Sequence, residues 1–133
     1  MTAEGIPEAV QRLGELIRAS DGLLLASPEY NYSMPGNLKN TIDWVSRIRP
    51  FVVQGRWAFL MSASNSRAGG NRGLWALRVP FESMGMVVYP EMFSLAAAAT
   101  AFTPDGSLVD EEPRERLTRL VKGFVHMVAR ARS

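Results

Sequence analysis

The chain has 133 residues and 47% hydrophobic content, which fits one compact domain with a single core and argues against two. Its 15 basic and 13 acidic residues give a formal charge of +2, and the basic ones are spread along the chain, which speaks against a nucleic-acid-binding stripe. With no cysteine it has no disulfide, no thiolate metal site and no cysteine nucleophile.

In chain order, Met1 to Gly14 holds no basic segment followed by an apolar core, so no signal peptide is read there. Pro7 to Ala19 places Ala9, Val10, Leu13, Leu16 and Ile17 at helical spacing, with proline in the first turn and Asp21-Gly22 as the stop. Leu23 to Ser27 follows as an apolar run without alternation, the pattern of a strand buried on both faces of a parallel sheet, and Pro28 ends it. A polar turn over residues 28–33, punctuated by Pro35 and Gly36, leads into a helix from about Asn37 to Ser46. Trp57 to Ala63 is a second buried strand, opening into Ser64-Asn65-Ser66-Arg67-Ala68-Gly69-Gly70. Asn71 to Ser83 carries Leu74, Leu77, Val79 and Phe81 in a helical pattern that Pro80 is expected to kink or shorten. Met86 to Tyr89 reads as a third strand closed by Pro90, and Thr103-Pro104-Asp105-Gly106 as a turn. Glu112 to Arg132 is a terminal helix with Leu117, Leu120, Val121, Phe124 and Val128 on one face. No apolar run, Leu95 to Ala99 included, is long enough to span a bilayer, and a soluble cytoplasmic protein is expected.

Helices alternating with buried strands define an α/β protein with a parallel sheet and right-handed crossovers. Ligands of such sheets bind beyond the carboxyl ends of the strands, here the turn after Ser27 and the loop after Ala63. From spacing alone the turn reads first as an ordinary connection whose Tyr30 and Tyr32 cap the core, and the loop has the alternative of a flexible glycine segment with solvated Arg67 and Arg72.

The run Pro28-Glu29-Tyr30-Asn31-Tyr32-Ser33, then Pro35-Gly36, Leu38-Lys39-Asn40 and Ile42-Asp43-Trp44 with no gap, closely resembles the signature of the NADPH-dependent FMN reductases. The resemblance continues from Ser62 to Pro90 and more loosely to the C-terminus. It implies a flavodoxin-like three-layer sandwich with FMN as cofactor and NAD(P)H as co-substrate. A quinone, flavin, azo compound or metal oxyanion is then the acceptor. FMN carries such chemistry itself, so no catalytic side chain and no metal are expected. The resemblance makes Pro28, Glu29, Tyr30, Asn31 and Tyr32 the flavin loop, acting through backbone donors near Tyr30 and Asn31, and adds Ser64, Asn65 and Gly69 from the neighbouring loop. Ser66 stands where the family commonly has glycine. Arg67 and Arg72 are the candidates for the NAD(P)H phosphates, because guanidinium suits bidentate phosphate contact.

The family's first strand, its phosphate loop rich in Ser, Thr and Asn, and its second strand have no counterpart in this sequence. The three visible strands therefore read as the last three of five in the order 2-1-3-4-5, and residues 1–133 as an N-terminally incomplete domain. The edge beside Leu23 to Ser27 is expected to be unpaired, and the chain alone to purify without flavin and to associate through it. A homodimer or homotetramer is expected, built in part on the helix from Asn37 to Ser46, where Trp44 either anchors a partner or covers its own sheet. The alternatives are a flavin-free chain with a structural role and a flavodoxin-like electron carrier, the latter disfavoured by the slight basicity. His126 reads as structural, and Asp110, Glu111 and Glu112 as a helix start.

Overall fold

The computed structural model describes residues 5–132; Met1, on which the reading of the chain's start turns, lies outside them. Four helices, α1 (Glu8–Ala19), α2 (Gly36–Val45), α3 (Asn71–Ser83) and α4 (Glu111–Ala131), alternate with strands β1 (Gly22–Ala26), β2 (Trp57–Ala63), β3 (Val87–Val88) and β4 (Phe93–Leu95). All strand pairing is parallel: β1 lies along β2 from Gly22↔Trp57 to Ala26↔Met61, and both β3 and β4 lie along the other side of β2. The expected flavodoxin-like three-layer architecture is borne out. No helix among the described residues is long and apolar enough to cross a membrane.

The side-chain period of two along β2 divides the core. Ala58 and Leu60 point into a cluster with Ile17 of α1, Ile42 and Val45 of α2, and Leu74, Leu77 and Phe81 of α3. Phe59, between them, points the other way, against Phe93 and Leu95 of β4 and Leu120 and Phe124 of α4. There Phe59, Tyr89 and Phe124 form a triangle of rings with centroids 5.8 to 6.0 Å apart. Each such pair contributes about 0.5–1.5 kcal/mol beyond its buried area.

Three expectations are corrected. The third strand does not end at Pro90: it leaves the ladder after Val88 and resumes as Phe93–Leu95, pairing with Met61, Ser62 and Ala63. Proline has no N–H to give the ladder, so the strand breaks around it instead of stopping. Arg78 of α3 covers the break, donating to the carbonyls of Tyr89 at 3.1 Å and Val88 at 3.4 Å. Pro80 does not shorten α3: the helix runs on to Ser83, and Met84 N–H closes it onto the Pro80 and Phe81 carbonyls. Finally, β1 is not buried on both faces. Leu24 is 52% exposed, because β1 has a strand partner on one side only among the described residues and α4 approaches it at Gly22, where a Cβ would stand 3.0 Å from Phe124 Cζ. An apolar hollow of about 240 Å³ runs along this flank between Leu13, Ile17, Leu38 and Ile42.

Candidate functional site

The parallel register brings the carboxyl ends of β1, β2 and β4 to one end of the sheet, and three connections meet there. After β1, Ser27 prolongs the ladder by donating its N–H to the Met61 carbonyl at 3.0 Å. The chain then reverses in two residues. Tyr30 N–H bonds to the Ser33 carbonyl at 2.9 Å and Ser33 N–H to the Tyr30 carbonyl at 3.0 Å. The residues between, Asn31 and Tyr32, hold φ at 50° and 63°, the pattern of a type I′ turn. Asparagine tolerates this conformation, whereas tyrosine is uncommon in it. The turn's own pair leaves the N–H groups of Asn31 and Tyr32 without a partner among the described residues, and Tyr30 and Tyr32 are 59% and 70% exposed.

The loop after β2 is tied down. Ser64 N–H bonds to the Leu95 carbonyl at 2.9 Å and the Ser64 carbonyl receives Ala98 N–H, while Asn65 Oδ1 accepts the Ala99 N–H at 2.7 Å. The Ser64 hydroxyl accepts Ser66 N–H at 3.2 Å, so Ser66 closes a small turn at the position where the family commonly has glycine. Gly69 and Gly70 are buried at φ 60° and 86°. A Cβ on Gly69 would lie 2.8 Å from the Leu95 backbone, and one on Gly70 would lie 2.9 Å from the Ser62 hydroxyl, which itself donates to the Gly69 carbonyl at 2.7 Å. The close approach these glycines permit is to β4 and β2.

The two connections touch each other. Glu29, expected in the flavin loop, turns its side chain inward: it is 7% exposed, and its Oε2 accepts Gly73 N–H at the start of α3 at 3.0 Å. Its other oxygen stands 4.0 Å from Arg72, whose guanidinium lies over the Tyr32 ring at 4.5 Å. Arg72 is thus already engaged, while Arg67 forms no ion pair among the described residues. Pro28 is exposed at the mouth of the turn. Sequence reasoning missed the third connection, residues 96–101, where Ala97 holds φ at 52° and Ala98–Thr100 forms a short helical turn; the run of four alanines was its one signal. His126 is exposed on α4, and no group of acidic or histidine side chains among the described residues could hold a metal.

The donors and planar surfaces at this end suit a flat heteroaromatic ligand: N–H groups in a tight turn, two exposed tyrosine rings and a nearby guanidinium. Such features at the strand ends of a doubly wound sheet define a flavodoxin-like cofactor protein. A family model described as NADPH-dependent FMN reductase matches residues 1–100. An NAD(P)H-dependent FMN reductase of Pseudomonas aeruginosa is 40% identical over 132 residues, 98% of this chain and 71% of that protein. A quinone reductase of Escherichia coli is 32% identical over 131 residues, 97% of this chain and 70% of that one. Among solved structures, the flavoenzyme NAD(P)H:(acceptor) oxidoreductase FerB of Paracoccus denitrificans superposes with a TM-score of 0.84 at 33% identity, over 94% of this chain and 70% of that chain. The chain belongs to the NADPH-dependent FMN reductase family, a family of oxidoreductases, and the resemblance read from the Pro28 to Trp44 signature is borne out.

Proposed function

We propose that the chain works as an FMN-dependent NAD(P)H oxidoreductase, with the flavin ring at the Tyr30–Ser33 turn. The observation that carries this reading is the turn itself: two exposed tyrosines and two unclaimed N–H groups, Asn31 and Tyr32, at the carboxyl end of β1. When bound, FMN accepts a hydride from NAD(P)H and returns two electrons to a small acceptor such as a quinone, which takes up two protons with them. The protein's part is to bind and orient. The N–H groups of Asn31 and Tyr32 would be the donors that hold a bound flavin, and the exposed tyrosines beside them would offer it apolar surface. Arg67 is the better candidate for the nucleotide phosphates of NAD(P)H, since Arg72 is held by Glu29 and Tyr32.

Titration of the purified protein with FMN, followed by NADPH under argon, tests this. Prompt loss of the flavin absorbance and its return on adding a quinone are expected; a bound flavin that NADPH leaves oxidised would sink the reading in favour of an electron carrier. A homodimer or homotetramer built in part on α2 belongs to the same proposal. Trp44 is half-buried there and borders a hollow of about 200 Å³ with Asn40, Asp43 and Arg47. Light scattering on Trp44→Ala should show a shift to smaller species.

A further inference from the structure

We propose that Glu29 is a positioning residue: its carboxylate locks the turn after β1 onto the first turn of α3, and so holds the tyrosines and N–H donors in place. The inference rests on reading that turn as the flavin edge. The start of α3 lacks a cap of its own, because the capping position is Gly70, which has no side chain to offer. The acceptor comes instead from Glu29, 44 residues earlier in sequence, through the 3.0 Å bond from Gly73 N–H to Oε2. A carboxylate is favoured there by the positive end of the helix dipole.

The fit on both sides is close. A Cβ at position 73 would come within 3.1 Å of the Ser33 carbonyl and 3.3 Å of Glu29 Cβ, so glycine at 73 is what lets the turn lie against the helix. The Glu29 side chain is only 7% exposed, and a charge held there without its partners would be costly. Its second oxygen faces Arg72 at 4.0 Å, and Arg72 in turn covers the ring of Tyr32. One carboxylate therefore reaches two parts of the turn: its own position at the entry and, through Arg72, the exposed ring of Tyr32 within the reversal. The same bond occupies the N-terminus of α3 with a protein carboxylate and withholds it from a ligand phosphate.

The test compares Glu29→Gln, Glu29→Asp and Glu29→Ala by amide hydrogen exchange at Gly73 and by FMN titration. Gln keeps an acceptor oxygen at the same reach, whereas Asp keeps the charge on a stem one methylene shorter. Loss of a buried charge-assisted bond should speed Gly73 exchange and weaken FMN binding by about tenfold or more in Ala and Asp, with Gln restoring most of both. Should Ala fail to fold, the Gln and Asp pair decides the matter. Gly73 exchange in Asp and Gln indistinguishable from wild type would overturn the lock. Altered Gly73 exchange with unaltered FMN affinity would overturn the positioning role. Wild-type protein that takes up no FMN would instead remove the flavin reading, and the exchange comparison would still judge the lock on its own.

Discussion

After β1 the chain reverses at Asn31 and Tyr32, both left-handed without being glycine, and leaves two tyrosine rings in solvent. After β2 it travels through residues 64–70, places its left-handed positions at Gly69 and Gly70, and buries both. Side by side at the same end of the sheet, the first connection presents chemical groups and the second supplies the floor on which they rest. Left-handed backbone thus means two different things at one end of the sheet. At Gly69 it follows from contact with the Leu95 backbone, and at Tyr32 it follows from a two-residue reversal that keeps a large ring outside.

Substitutions that exchange these properties separate the two regions. Gly69→Ala should have the largest effect: its Cβ would meet backbone atoms of Leu95 and Ala96 at 2.8 and 2.9 Å in a left-handed conformation. Crowding and strain together cost about 2–4 kcal/mol, read as a fall in the urea midpoint. At Asn31 the expected effect falls on ligand binding. A φ of 50° excludes proline, so Asn31→Pro should break the reversal and weaken FMN binding by about 1–3 kcal/mol in calorimetry, while Asn31→Gly should bind as wild type. Equal behaviour of the two variants would show that the backbone at 31 is not used. Asn65→Ala, which strands the Ala99 N–H, should lower stability by about 0.5–1.5 kcal/mol, read in the same urea unfolding.

The smallest effect lies away from both connections, in the turn at residues 103–107. There the Thr103 hydroxyl, followed by Ser107, holds the Asp105 carboxyl below its ordinary value. A depressed folded-state value stabilises above the unfolded pKa, and the benefit is lost as pH falls through the folded one. Asp105→Asn should therefore lower stability slightly at neutral pH and leave it unchanged in acid, below the folded-state value, with an NMR titration of Asp105 in the wild type as the direct check.

Much of the sheet was legible because β2 states its own burial. Trp57 to Ala63 is apolar on both sides of its pleat, and the helix after it shows Leu74, Leu77 and Phe81 on the face the core takes up. Pro90 misled, since a proline ends a strand only where the ladder needs its N–H; Phe93-Ser94-Leu95 carried the alternation that reveals the resumption. Leu24 misled in the opposite way, because an apolar run reports what a strand could bury and not what lies beside it. The signature turn and the neighbouring loop were placed correctly at one end of the sheet. The inward turn of Glu29 was beyond sequence reading, since its partner is a backbone N–H from a distant helix, and a backbone group carries no sequence signal.

The strained tyrosine has a consequence for how this chain responds to selection. A non-glycine residue at a φ of 63° gives up roughly 1 kcal/mol or more, and glycine at that position would recover it. A screen that rewards heat resistance alone will therefore favour Tyr32→Gly and strip away the ring that Arg72 covers. Laboratory evolution for thermal hardiness and for turnover should part company at this one codon.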